Sequence, residues 1–188
     1  MTDRDRKLIE AARLVFARYG FAKTTMADIA REAGVARQTL YNAYAGKDEV
    51  LRAAVRLSIA ETDAAVTAAW RDCDGLDAHL EAFFRIGPLA WYDFAQTSPE
   101  AAEILEGLHK VAAEELQQAA QEWTARFEAL LLAEVPAGHP IVARAAELAD
   151  FIYAGSINAK YSAGSRSVLE NRLEMLKRSV LALVTNTR

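Results

Sequence analysis

The chain has 188 residues, 52% of them hydrophobic, and a formal net charge of −4. That apolar content excludes wholesale disorder, and the single cysteine, Cys73, excludes an internal disulfide and a multi-cysteine zinc site. No apolar run reaches the roughly 18 residues of a membrane span, and the charged start MTDRDRKLIE lacks a signal-peptide core, so a cytoplasmic protein with no membrane contact is expected.

The texture is helical throughout. Ala, Leu, Glu and Arg dominate, and no segment alternates apolar and polar residues over strand length, which predicts an all-α fold of about nine helices. The first helix runs from about Asp3 to Tyr19, with Ile9, Ala12, Phe16 and Tyr19 on one face, and Gly20 ends it. A second starts near Thr25, where Thr25 and Asp28 have the spacing of a capping box, and stops at Gly34. A short third helix covers about Ala36 to Ala45, with Leu40 and Tyr44 inward. Gly46 opens a long fourth that begins Lys47-Asp48-Glu49 and ends near Trp70.

Further helices are expected over about Leu76–Gln96 (interrupted at Gly87-Pro88), from Ser98-Pro99 to near Gly107, over His109–Glu134, over Pro140–Ser162 and over Ser165–Asn186. The natural division is residues 1–46 as one domain and 47–188 as the other. Charge is split unevenly too: residues 1–50 hold 9 Lys/Arg against 7 Asp/Glu, and the remainder is net negative. Such asymmetry suggests different partners for the two parts.

Residues 25–45 read as helix, glycine turn, short helix, the helix-turn-helix order. With Leu40 and Tyr44 inward at 100° per residue, Gln38 and Asn42 point outward, flanked by Thr39 and Tyr41, with Arg37 at the helix start. Amides and a guanidinium with few acids suit base edges in a DNA major groove. Thr25 and Lys47, at helix starts, suit phosphates on either side. A solvated αα-hairpin would have much the same pattern.

The segment TTMADIAREAGVARQTLYNAYAGKDEVL, after a helix ending FARYGF, resembles the N-terminal domain of the TetR (tetracycline repressor) family of bacterial transcriptional regulators. The matching elements are T-x-x-x-I-A, the A-G-V turn, T-L-Y, the aromatic Tyr44 and K-D-E-x-L, over about residues 5–51. The resemblance implies phosphate contacts from Thr25, Thr39, Tyr41 and Lys47, and base or groove contacts from Arg37, Gln38 and Asn42. Ala36 departs from it, standing where a Ser or Thr cap is usual, a loss of about 1 kcal/mol. Ala43 stands where many members have a His or an aromatic.

The resemblance further implies a homodimer on a double-stranded palindromic operator, a repressor released by a small-molecule effector, no cofactor and no enzymatic activity. Leu169, Leu173, Leu176, Val180 and Leu183 recur at 4, 3, 4, 3, a coiled-coil-like stripe. With Ala145, Ile152 and Gly155 they form the expected dimer interface, although burial within one subunit fits the same stripe. Phe84, Trp91, Phe94, Trp123, Phe127 and Phe151, with polar His109 and Asn158, are the expected lining of an apolar effector pocket walled by the Gly87-Pro88 break. Each aromatic also fits plain core packing. Two alternatives stand beside this reading: a DNA-binding protein without an effector, and a helical-bundle metalloenzyme. The latter rests on Glu103, Glu106 and His109 at three-residue steps, but His79 and His139 supply no second such motif.

Overall fold

The computed structural model describes residues 2–161 and 163–185, except the side chains of residues 105–107 and 109. Among these residues the fold is all-α, with no strand. Its helices are α1 (Asp3–Tyr19), α2 (Met26–Glu32), α3 (Arg37–Ala43), α4 (Lys47–Trp70), α5 (Gly75–Phe84), α6 (Ala90–Ala95), α7 (Pro99–Val111), α8 (Ala113–Glu134), α9 (Ala145–Ala159) and α10 (Arg166–Thr185). A π turn, Arg85–Leu89, joins α5 to α6, and a 3-10 turn, Pro140–Arg144, precedes α9. Counted with its π turn as one interrupted helix, α5–α6 gives the nine helices expected.

The chain forms two compact units, Met1–Glu61 with Phe94–Leu116, and Thr62–Asp93 with Gln117–Arg188. In the first, Thr2 and Asp5 close a capping box that starts α1. The helix buries Leu8, Ile9, Ala12, Val15 and Phe16, whereas Tyr19, in its last turn, is 43% exposed. Met26, Ile29, Leu40, Val50 and Leu51 complete this core, and α7 packs on α1, adding Ile104. Helix α7 passes through Gly107 and ends only at Ala112 (φ −125°, ψ 35°). A single helical glycine costs about 1 kcal/mol, less than the packing of Ile104, Leu108 and Val111 against this core supplies.

The second unit is centred on aromatic rings. The Phe83 ring lies 4.8 Å from that of Trp123 and 4.9 Å from that of Phe127, the latter pair perpendicular. Trp70 meets Trp123 edge-on at 5.6 Å. These are favourable aromatic geometries. The Gly87-Pro88 step, expected as a break and a pocket wall, is instead a wide helical turn with both residues buried. In an α-turn the Pro88 ring would clash with the carbonyl four residues back; the π turn makes room by holding one extra residue. That residue shifts the helix phase. A straight continuation from Leu80 and Phe84 would bring Trp91 inward, but Tyr92 is the buried residue and Trp91 is half-buried.

The residues expected to line a pocket differ in their surroundings. Phe84, Trp123 and Phe127 are core residues of the second unit. Phe151 (52% exposed) and Asn158 lie on the outer face of α9, because Ala145, Leu148, Ala149, Ile152 and Ser156 occupy its inner face. Phe94 belongs to the first unit. The His109 side chain, like that of Glu106, lies outside the described residues.

Most of the residues expected at a dimer interface are covered within the single subunit. Ala145, Ile152, Leu169, Leu173 and Val180 are buried inside the subunit. Gly155 faces Leu176 of the same chain, and a Cβ there would sit 3.3 Å from the Leu176 Cδ2. Within the 4-3 stripe Leu169, Leu173 and Val180 face the subunit's own core, Leu176 is half-buried, and Leu183 is exposed.

Candidate nucleic-acid interface

The helix-turn-helix is built by local rules that can be followed residue by residue. The Thr25 hydroxyl accepts from the Asp28 amide at 3.2 Å and donates to the Asp28 carboxylate at 2.6 Å, and the Thr25 amide donates to the same carboxylate at 3.0 Å. This reciprocal box starts α2. The Thr25 hydroxyl, followed by its amide, holds the Asp28 carboxyl below its ordinary range. The Thr25 donors implied for a phosphate are thus engaged within the box.

Helix α2 ends in a Schellman motif: Gly34 (φ +67°) donates to Arg31 O at 3.2 Å and Val35 to Ala30 O at 3.0 Å. A positive φ is what Gly supplies without strain. Two residues later stands Ala36, the N-cap of α3, which makes no side-chain capping bond. Ala36→Ser should therefore raise stability by about 1 kcal/mol, read from the urea midpoint at unchanged slope; no gain would mean that the Ala36 backbone already satisfies this end.

On α3 the division anticipated from the sequence is present. Leu40 is fully buried and Tyr44 nearly so, while Arg37, Gln38, Tyr41, Asn42 and Ala43 are exposed and Thr39 is half-buried. The Gln38 amide nitrogen donates to Asn42 Oδ1 at 2.8 Å, so the two outward amides are held side by side. No acid lies on α3, and Lys23 and Arg31 are also exposed. Such a face can donate to base-edge and phosphate oxygens without like-charge repulsion.

Lys47 makes contacts that its place at a helix start does not announce. Its ammonium donates to the carbonyl oxygens of Phe21 (2.8 Å), Ala22 (3.1 Å) and Thr24 (3.1 Å). Sequence reasoning missed this, since a lysine at a helix start carries no signal for carbonyls more than twenty residues earlier. It also missed Glu49, whose carboxylate accepts from the Ala45 amide at 2.6 Å ahead of α4.

Residues 8–54 match the model of the bacterial regulatory proteins, tetR family. The helix-turn-helix domain is of the tetR family. Over nearly the whole chain, solved structures of tetR-family regulators share the fold. One from Pectobacterium atrosepticum has 23% identity and a TM-score of 0.72, covering 98% of this chain and 95% of its own. A TetR/AcrR-family regulator from Thermobifida fusca YX-ER1 has 19% identity and a TM-score of 0.68, covering 100% of both. The fatty acid degradation regulator FadR from Bacillus halodurans has 13% identity and a TM-score of 0.64, covering 94% of this chain and 95% of its own. No curated protein matches the chain.

Proposed function

We propose that the protein is a ligand-responsive transcriptional repressor, cytoplasmic, that binds a palindromic operator as a homodimer and is released by a small apolar or aromatic effector. The observation that carries the DNA-binding part is the exposed, acid-free face of α3 set on a tetR-family helix-turn-helix. Arg37, Gln38 and Asn42 read base edges, and Thr39 and Tyr41 hold phosphates. A two-fold dimer sets two such helices about 34–36 Å apart, one DNA turn.

The dimer face is the outer side of α10, Val168 and Met175 with Leu183 (the exposed end of the leucine stripe), together with Phe151 of α9, all of them large apolar residues exposed on the subunit. Release follows if an effector favours a conformation in which the separation of the recognition helices no longer fits the operator. The apolar interior of the second unit supports an apolar effector, as does the shared fold of a regulator of fatty acid degradation.

Selection from random DNA with the full chain tests this reading, and failure to enrich any palindrome would sink it. Asn42→Ala is expected to relax preference at one base pair, A·T by amide geometry, by about 1–3 kcal/mol. Identical enrichment profiles for the two proteins would remove Asn42 from the reading face. One observation favours a second reading, DNA binding without an effector: aromatic rings pack at 4.8 and 4.9 Å in the centre of the second unit. A thermal-shift screen of apolar compounds that finds none, with operator binding intact, would select it.

A further inference from the structure

Lys47 opens α4, yet its hydrogen bonds reach back to the turn between α1 and α2. The Nζ atom lies 2.8 Å from Phe21 O and 3.1 Å from each of Ala22 O and Thr24 O. A lysine ammonium has three hydrogens, so these acceptors use all of them. The Phe21 ring centroid lies 4.6 Å from the same nitrogen, a cation–π distance, and that ring packs 5.5 Å from Phe16 of the core.

The carbonyls converge because the turn is not helical. Gly20 has φ +77°, and the buried Thr24 hydroxyl donates to Gly20 O at 2.7 Å. Backbone carbonyls gathered in this way need a donor to face. The residue that follows, Thr25, caps the start of α2.

We infer that Lys47 is a positioning residue of the DNA-binding domain: it clasps the 20–25 turn, fixes where α2 begins, and supports DNA binding through that geometry and not by touching a phosphate. The inference rests on the DNA-binding reading above. It differs from a phosphate contact in one measurable respect. Each phosphate neutralised adds about 0.9 to the slope of log affinity against log salt, whereas a clasp adds nothing to it.

The test uses the full chain, Lys47→Met and Lys47→Arg, with operator affinity across a salt series and amide hydrogen exchange along the chain. Lys47→Met is expected to weaken operator binding about tenfold at unchanged salt slope. Amides of residues 21–28 should exchange about tenfold or more faster, with those of α9 and α10 unaltered. Lys47→Arg should not restore either, because no single nitrogen of a planar guanidinium can present three donors to the three converging carbonyls. A slope shallower by about 0.9, unaltered exchange over 21–28, or full restoration by arginine would overturn the inference. If Lys47→Met does not fold, Lys47→Arg tests the clasp through operator affinity and exchange over 21–28, the salt slope being uninformative there because arginine keeps the charge. If the wild-type chain bound no DNA, the functional reading would fail while the exchange comparison still tested the clasp.

Discussion

Phe127→Ala is expected to destabilise the chain by about 3–5 kcal/mol, the range for deleting a buried phenyl ring. Phe127 is fully buried, and its ring lies 4.9 Å from Phe83, 6.0 Å from Trp123 and 6.1 Å from Trp70. Removing it takes away the area it buries, its edge-to-face contact with Phe83 and its tilted contacts with Trp123 and Trp70, and leaves a void they cannot all fill. Urea unfolding measures it. The control is Phe151→Ala, on the exposed face of α9, which should stay within about 0.5 kcal/mol in the monomer. A loss below about 1 kcal/mol at Phe127 would mean that the ring lines a space already open. That result would restore the pocket reading of this centre.

Met175→Glu is expected to dissociate the proposed dimer while leaving the subunit folded. Met175 is 64% exposed, between Val168 and Leu183 on the outer stripe of α10. A carboxylate there is harmless in water, but in an interface it is an unpaired buried charge, which costs about 3–5 kcal/mol. That is a hundredfold or more in dimer affinity, with operator affinity falling in step because two half-sites are no longer bound together. Leu173→Ala, two residues away on the inner stripe and 2% exposed, should instead cost about 2–5 kcal/mol of subunit stability. Sedimentation equilibrium and far-UV circular dichroism separate the two effects. A Met175→Glu protein that remains dimeric would move the interface off this stripe.

The recognition unit was legible because its signals are local. Thr25 with Asp28, Gly34 at a positive φ, and Leu40 with Tyr44 four residues apart each state their role within one or two turns of chain. The missing cap at Ala36 was legible for the same reason. The leucine stripe was legible as a stripe but not as to what covers it, since burial in one's own core and burial in a partner impose the same period. What could have pointed outward was the pair Val168 and Met175, one heptad apart with Arg172 between them. The Lys47 clasp was not legible, because it joins residues over twenty positions apart through backbone atoms that have no letter in the sequence.

The π turn at Arg85–Leu89 has a consequence for comparing this chain with its relatives. Downstream of it, residue number and helix face run one step out of phase. A relative with an uninterrupted helix here would align correctly only with a one-residue gap inside 85–89. Without that gap its inward residue would be matched to Trp91, and the true counterpart, Tyr92, would be read as a surface position. By the same geometry, loss of one residue within 85–89 would leave Tyr92 facing inward, whereas the same loss within α5 would rotate it by about 100°.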